Sequence, residues 1–179
     1  MTDDATTGAA RPAVDEVRAG RSVGGDALVS PAGGWPRARV VGVDWGDRRV
    51  GLAVSDELGM MASPAGVILR RAGKRPPIAE VIRRGEALGA RGYVVGHPLD
   101  GAGEEGPRAL EARHVATELA RRTGLPVRLV DERYTTALAH RAIHATGGSM
   151  RERKGDVDAI AAAVLLQHAL ALPSEASGG

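Results

Sequence analysis

From Arg37 onward the chain alternates between two kinds of apolar pattern. "ARVVGVDWGD" and "VGLAVSD" are short β-branched runs separated by "DRR", which predicts two strands joined as a hairpin. "MASPAGVILR" predicts a third strand, and "RRAGKRPP" breaks the pattern. Ile78, Val81, Ile82 and Leu88 then recur at helical spacing, up to "GARG". "GYVVGHPL" is a short apolar run, expected to be a strand buried on both faces. The loop "DGAGEEG" leads to Pro107, suited to the first turn of a helix that carries Leu110, Val115 and Leu119 and stops at Gly124. "LPVRLVDER" predicts another strand. Thr135 or Thr136 can cap a helix running through His144, and "GDVDAIAAAVLLQHALAL" predicts a strongly apolar last helix packed on the sheet. The order β-β-β-α-β-α-β-α-α implies a mixed sheet with helices on its faces.

Composition sharpens the boundaries. Residues 1–36 are rich in Gly, Ala, Pro, Ser and Thr without sustained periodicity, so a disordered N-terminal arm is expected there. That arm holds no apolar run of signal-peptide or membrane-span length, and its five acids against three arginines speak against a transit peptide. The folded domain is expected over 37–172, with a short tail over 173–179. The absence of cysteine excludes disulfides, zinc–thiolate sites and thiol nucleophiles, and is compatible with a cytoplasmic location. The net charge of +2 is uneven, because arm and tail are acidic and leave the domain basic. Arginine holds its charge and can grip phosphate with two parallel donors, so a nucleic-acid partner fits the balance, as do other partners.

One residue resists the pattern. Asp44 lies within an apolar strand, where an ionised carboxylate is costly unless something positive compensates it. Gly42 and Gly46 beside it leave room for a close ligand. Asp131 and Glu132 end the "RLVDER" strand, and Asp158 opens the last helix. Each has a plain alternative: a solvated turn for Asp131–Glu132–Arg133, compensation of the helix dipole for Asp158. If the strands carrying Asp44 and Glu132 are close, the carboxylates converge at one sheet edge and Asp158 completes the cluster. Their repulsion would be relieved by a hard divalent cation, Mg²⁺ or Mn²⁺, which prefers oxygen ligands. The loop "GHPLDGAGEEGPR", with Arg108 and Arg113 after it, can be a phosphate cradle at a helix start or an ordinary connection; Glu104 and Glu105 oppose tight phosphate contact. His97 has no evident partner. His140 and His144 are one helical turn apart, a spacing more often found on a surface than at a metal.

Four stretches together, "VVGVDWGDRRVGLAVSD", "YVVGHPLDGAGEEGPRALEAR", "VRLVDERYTTALAHRAI" and "KGDVDAIAAAVLLQHAL", resemble the YqgF (RuvX) family of Holliday-junction-resolvase-like proteins, described as pre-16S rRNA nucleases. The resemblance spans 39–172 in matching order. It implies an α/β, RNase H-like fold: a five-stranded mixed sheet flanked by helices. It also implies that the acids are metal ligands. Asp44 matches the acid of the G-x-D-x-G motif, Glu132 lies in the DER-x-T-T motif with Asp131 as the alternative ligand, and Asp158 matches the acid of the last helix. Arg49, Arg108 and Arg133 could hold flanking phosphates, and Arg133 could equally pair with an acid. The departures are His97, where the family commonly has Leu, and the loop "LDGAGEEG"; both bear on substrate choice.

The activity implied is metal-dependent phosphodiester hydrolysis at the 5′ end of the 16S rRNA precursor. Small-ribosomal-subunit association and a monomer or homodimer are compatible with it. Branched DNA is the alternative substrate. A non-catalytic nucleic-acid-binding factor is another class, opposed by the presence of all three acids. An actin-like phosphotransferase shares the D-x-G hairpin but needs two such domains.

Overall fold

Val40, Val41 and Val43 have no exposed surface, and strand alternation sends Val41 and Val43 to one side and Val40 to the other. Both sides of that strand are therefore covered, as a central strand requires. The computed structural model describes residues 27–29, 37–71, 75–135 and 154–172. Its elements in chain order are β1 (Ala27–Val29), β2 (Val41–Trp45), β3 (Arg49–Ser55), β4 (Ala62–Leu69), α1 (Ile78–Ala87), β5 (Tyr93–His97), α2 (Pro107–Thr123), β6 (Val127–Asp131), a 3₁₀ turn (Glu132–Tyr134) and α3 (Lys154–Ala171).

The sheet runs in the order β1-β6-β5-β2-β3-β4. β2, β3 and β4 form an antiparallel meander, and β5 and β6 add in parallel on the other side of β2. This is the five-stranded mixed sheet of an RNase H-like fold. β1 adds a sixth, antiparallel to β6. The expectation of an arm without structure therefore does not hold for Ala27–Val29, which satisfy part of the otherwise open edge of β6. The remainder of 1–36, the helix expected through His144 with its His140, and the tail 173–179 lie outside the described residues.

Helices cover the sheet unequally. α1 and α2 pack on one face, over Val41, Val43, Leu52, Tyr93, Val95, Val127 and Leu129. Among the described residues α3 packs on the other, its Ala162, Leu165, Leu166 and Ala169 meeting Val40, Ala53, Val94 and Val130. Pro107 occupies the first turn of α2, and Gly124 closes it with φ of 68°, where a side chain would be strained. No helix of the described residues is long and apolar enough to cross a membrane.

Candidate active site

Asp44 is the penultimate residue of β2, and Gly51 of β3 stands opposite it in the ladder. Alternation puts Gly42 and Asp44, with Arg49, Gly51 and Ala53, on the face that α3 covers. The helix comes unusually close there. A Cβ on Gly51 would collide with the backbone oxygen of Asp158, and one on Gly42 would lie 2.8 Å from the Leu166 Cβ. The room beside Gly42 thus belongs to α3 rather than to a ligand. That beside Gly46 is taken by its own turn, where a Cβ would lie 2.8 Å from the Arg49 backbone oxygen. Asp158 does not open the last helix as expected. α3 begins at Lys154, so Asp158 sits in its second turn, where dipole compensation is weak and proximity to Asp44 is the stronger constraint.

Glu132 comes from the far side of β5. It opens the 3₁₀ turn instead of ending the strand, because the preceding Asp131 caps that turn through the Arg133 backbone N–H. Its carboxylate passes over β5 where that strand has no side chain: a Cβ on Gly96 would strike the Glu132 Oε1. Gly96 is therefore what allows an acid from β6 to meet an acid from β2. Burial pushes the Asp44 carboxyl up to about 6, with Asp158 adding to the rise and Arg108 opposing it. Burial likewise pushes Glu132 up to about 7, reinforced by Asp44, opposed by Arg108, and reinforced slightly by Asp131. The two acids repel one another in a partly dry setting, and Arg108 is the cation that acts on both.

Asp131 faces the other way. Its carboxylate accepts from Arg133 Nη2 at 2.6 Å and Nε at 2.8 Å, besides the cap. Burial raises its pKa, but the Arg133 hydrogen bonds outweigh that and hold it below the usual carboxylate range. Of the two candidates in "DER", Glu132 is the one turned to Asp44, and Arg133 pairs with an acid. His97, on the same side of the sheet as Asp131, is buried, and its Nε2 lies 2.7 Å from Glu105 Oε1. Glu105 also accepts from Arg113, and Asp100 Oδ1 accepts from the Ala102 and Glu104 N–H groups. The glycine-rich loop is thus tied to β5 and α2 by its own acids, and Arg113 is not presented as a phosphate ligand. Arg108, more than half exposed, lies 3.5 Å from Asp47 and reaches the field of the site.

Sequence reasoning missed Gly51 and Gly96, whose role is to be absent where another element passes. It also missed the His97–Glu105 pair. A signal for Glu132 over Asp131 was present. Glu132 is two residues from Val130, so it falls on the α3 side of the sheet by parity.

The donor set is oxygen only, and two half-buried carboxylates with raised pKa values suit a hard divalent ion. The third acid acts on Asp44 but is itself paired with a cation. Asp158 Oδ2 lies 3.2 Å from Arg49 Nη1, and among the described residues no three Asp, Glu or His side chains are gathered tightly enough to hold an ion as placed.

Comparison with known proteins gives the family. A relative from Kineococcus radiotolerans, carrying the provisional name pre-16S rRNA nuclease, is 45% identical over 129 residues, which is 72% of this chain and 69% of its own. One from Anaeromyxobacter sp. (strain K), of the same provisional name, is 46% identical over 131 residues, covering 72% and 93%. Among solved structures, Thermus thermophilus RuvC in complex with a Holliday junction substrate superposes with a TM-score of 0.49 at 19% identity, covering 74% of this chain and 93% of its own. The family model described as RuvX, Holliday junction resolvase, matches residues 38–172. With three quarters of its length so matched, the chain belongs to the RuvX family.

Proposed function

We propose that the protein is a divalent-metal-dependent endonuclease that hydrolyses a phosphodiester bond in the 5′-end maturation of 16S rRNA precursor, acting in the cytoplasm on the small ribosomal subunit or its precursor RNA. The observation that carries this reading is the convergence of Asp44 and Glu132 across Gly96, in a family whose relatives carry that provisional name. Asp44, Glu132 and Asp158 would hold Mg²⁺ or Mn²⁺. When bound, such ions lower the pKa of an attacking water and stabilise the leaving oxygen.

The protein's own groups do the rest. Asp44 and Glu132 are held on the backbone of one sheet, on either side of β5, so little reorganisation accompanies the reaction. Their raised pKa values in the metal-free protein mean that protons compete with an ion for both carboxylates as pH falls. Arg108 stands on the first turn of α2 with an exposed guanidinium, placed to hold the substrate phosphate beside the acids. Arg133, committed to Asp131, positions the turn that carries Glu132.

The test is cleavage of an end-labelled 16S precursor fragment and a four-way DNA junction, side by side, with Mg²⁺, Mn²⁺ or EDTA. Metal-dependent cutting of the RNA that is lost in Asp44→Asn is expected. Cutting of the junction alone would transfer the activity to branched DNA. Binding of either without cutting, in every metal, would leave a binding factor.

A further inference from the structure

Among the described residues, Arg108 and Arg49 act on different acids of this site. Arg108 acts on Asp44 and Glu132. Arg49 instead takes Asp158, with both side chains one-third exposed. The Asp158 main chain cannot advance, because its carbonyl rests on Gly51 of β3. Arg49 precedes Gly51 by two residues on the same strand and face. The pair is therefore set by two fixed backbones, and only side-chain torsions decide where the carboxylate points.

We propose that Arg49 is a positioning residue that engages the Asp158 carboxylate in the metal-free protein, so that a divalent ion and the Arg49 guanidinium compete for the same carboxylate. This rests on the metal reading above. In the metal-free protein Arg49 offsets a third negative charge that already acts on Asp44. Entry of the ion exchanges one cation for another at Asp158. A half-solvated ion pair is weak, so the competition is modest, on the order of two- to fivefold in metal affinity.

The experiment is Mn²⁺ titration of the full chain by electron paramagnetic resonance. Wild type is compared with Asp44→Asn, Arg49→Gln, Arg49→Lys, Asp158→Asn and the Arg49→Gln/Asp158→Asn double variant. Arg49→Gln is expected to bind Mn²⁺ about two- to fivefold more tightly, and Arg49→Lys to return toward wild type. In the Asp158→Asn background the Arg49 substitution is expected to change nothing. An equal gain with and without Asp158 would reduce Arg49 to a distant repulsive charge and overturn the proposal. So would an unchanged or weaker affinity in Arg49→Gln. Where the Asp158→Asn chains bind too weakly to compare, the Arg49 Nε–H resonance decides. On Mg²⁺ saturation of wild type it should move to its position in metal-free Asp158→Asn, and a resonance that stays put overturns the proposal. Failure of wild type to bind Mn²⁺, or binding that ignores Asp44→Asn, would instead overturn the metal reading itself.

Discussion

The two faces of the sheet are built from the same strands and differ in almost every other respect. Toward α1 and α2 the strands present Val41, Val43, Leu52, Tyr93, Val95 and Leu129, a thick layer of large apolar side chains. Toward α3 they present Gly42, Gly51, Gly96 and Ala53, with Asp44 and Glu132 among them. One face gains stability by burying area. The other gives up area so that a helix and a carboxylate can approach the backbone. Because alternation assigns successive residues to opposite faces, a single strand such as β2 supplies both Val43 for cohesion and Asp44 for chemistry without compromise.

The comparison breaks most sharply at the acids. Asp44→Asn or Glu132→Gln is expected to lower cleavage by about 10³-fold or more, read as single-turnover cutting of the RNA substrate. The same substitutions should make the metal-free protein more stable at pH 8. Both folded-state pKa values are raised, so between pH 4 and 7 the folded chain binds more protons than the unfolded one, and stability falls as pH rises. Asn at position 44 removes the Asp44 share of that loss, a gain of about 3 kcal/mol at pH 8 that vanishes below pH 4, measurable by urea unfolding in EDTA.

Gly51→Ala attacks the close-packed face directly. Its Cβ meets a backbone oxygen that cannot rotate away, so a cost of about 3 kcal/mol in urea unfolding is expected. Val95→Ala on the thick face should cost about 2 kcal/mol by leaving a cavity, yet keep the cleavage rate of the folded fraction.

Gly96→Ala separates site from fold more finely. The new methyl meets the movable end of Glu132, so stability should change by less than about 1 kcal/mol while cleavage falls about 10²-fold through misplacement. The smallest effect is expected at Asp131→Asn. Arg133 keeps a hydrogen-bonding partner there, and cleavage should fall by less than about tenfold in the same assay.

These contrasts also show what could be read in advance. The elements were legible because their signals are local: Val40–Val43 is a short β-branched run, Pro107 and Gly124 bracket α2, and Asp44 conflicts with its apolar neighbours. The position of Asp158 within α3 was less legible, since helix starts depend on contacts made by residues before the apolar run. Gly96 and Gly51 were silent. A glycine in a strand reveals that something comes close, never what, and Glu132 and Asp158 are far away in sequence. His97 was unreadable for the same reason, its partner Glu105 being brought to it by a loop.

The contact between Gly51 and the Asp158 carbonyl also governs how the chain tolerates changes in length. It acts as a mechanical reference point, fixing the acid against β3 whatever precedes Lys154. Residues added upstream of the helix need not disturb the acid. One residue inserted between Asp158 and Leu166 would rotate the acid by about 100° relative to the apolar stripe seated on Gly42, and the helix could then satisfy only one of its two anchors.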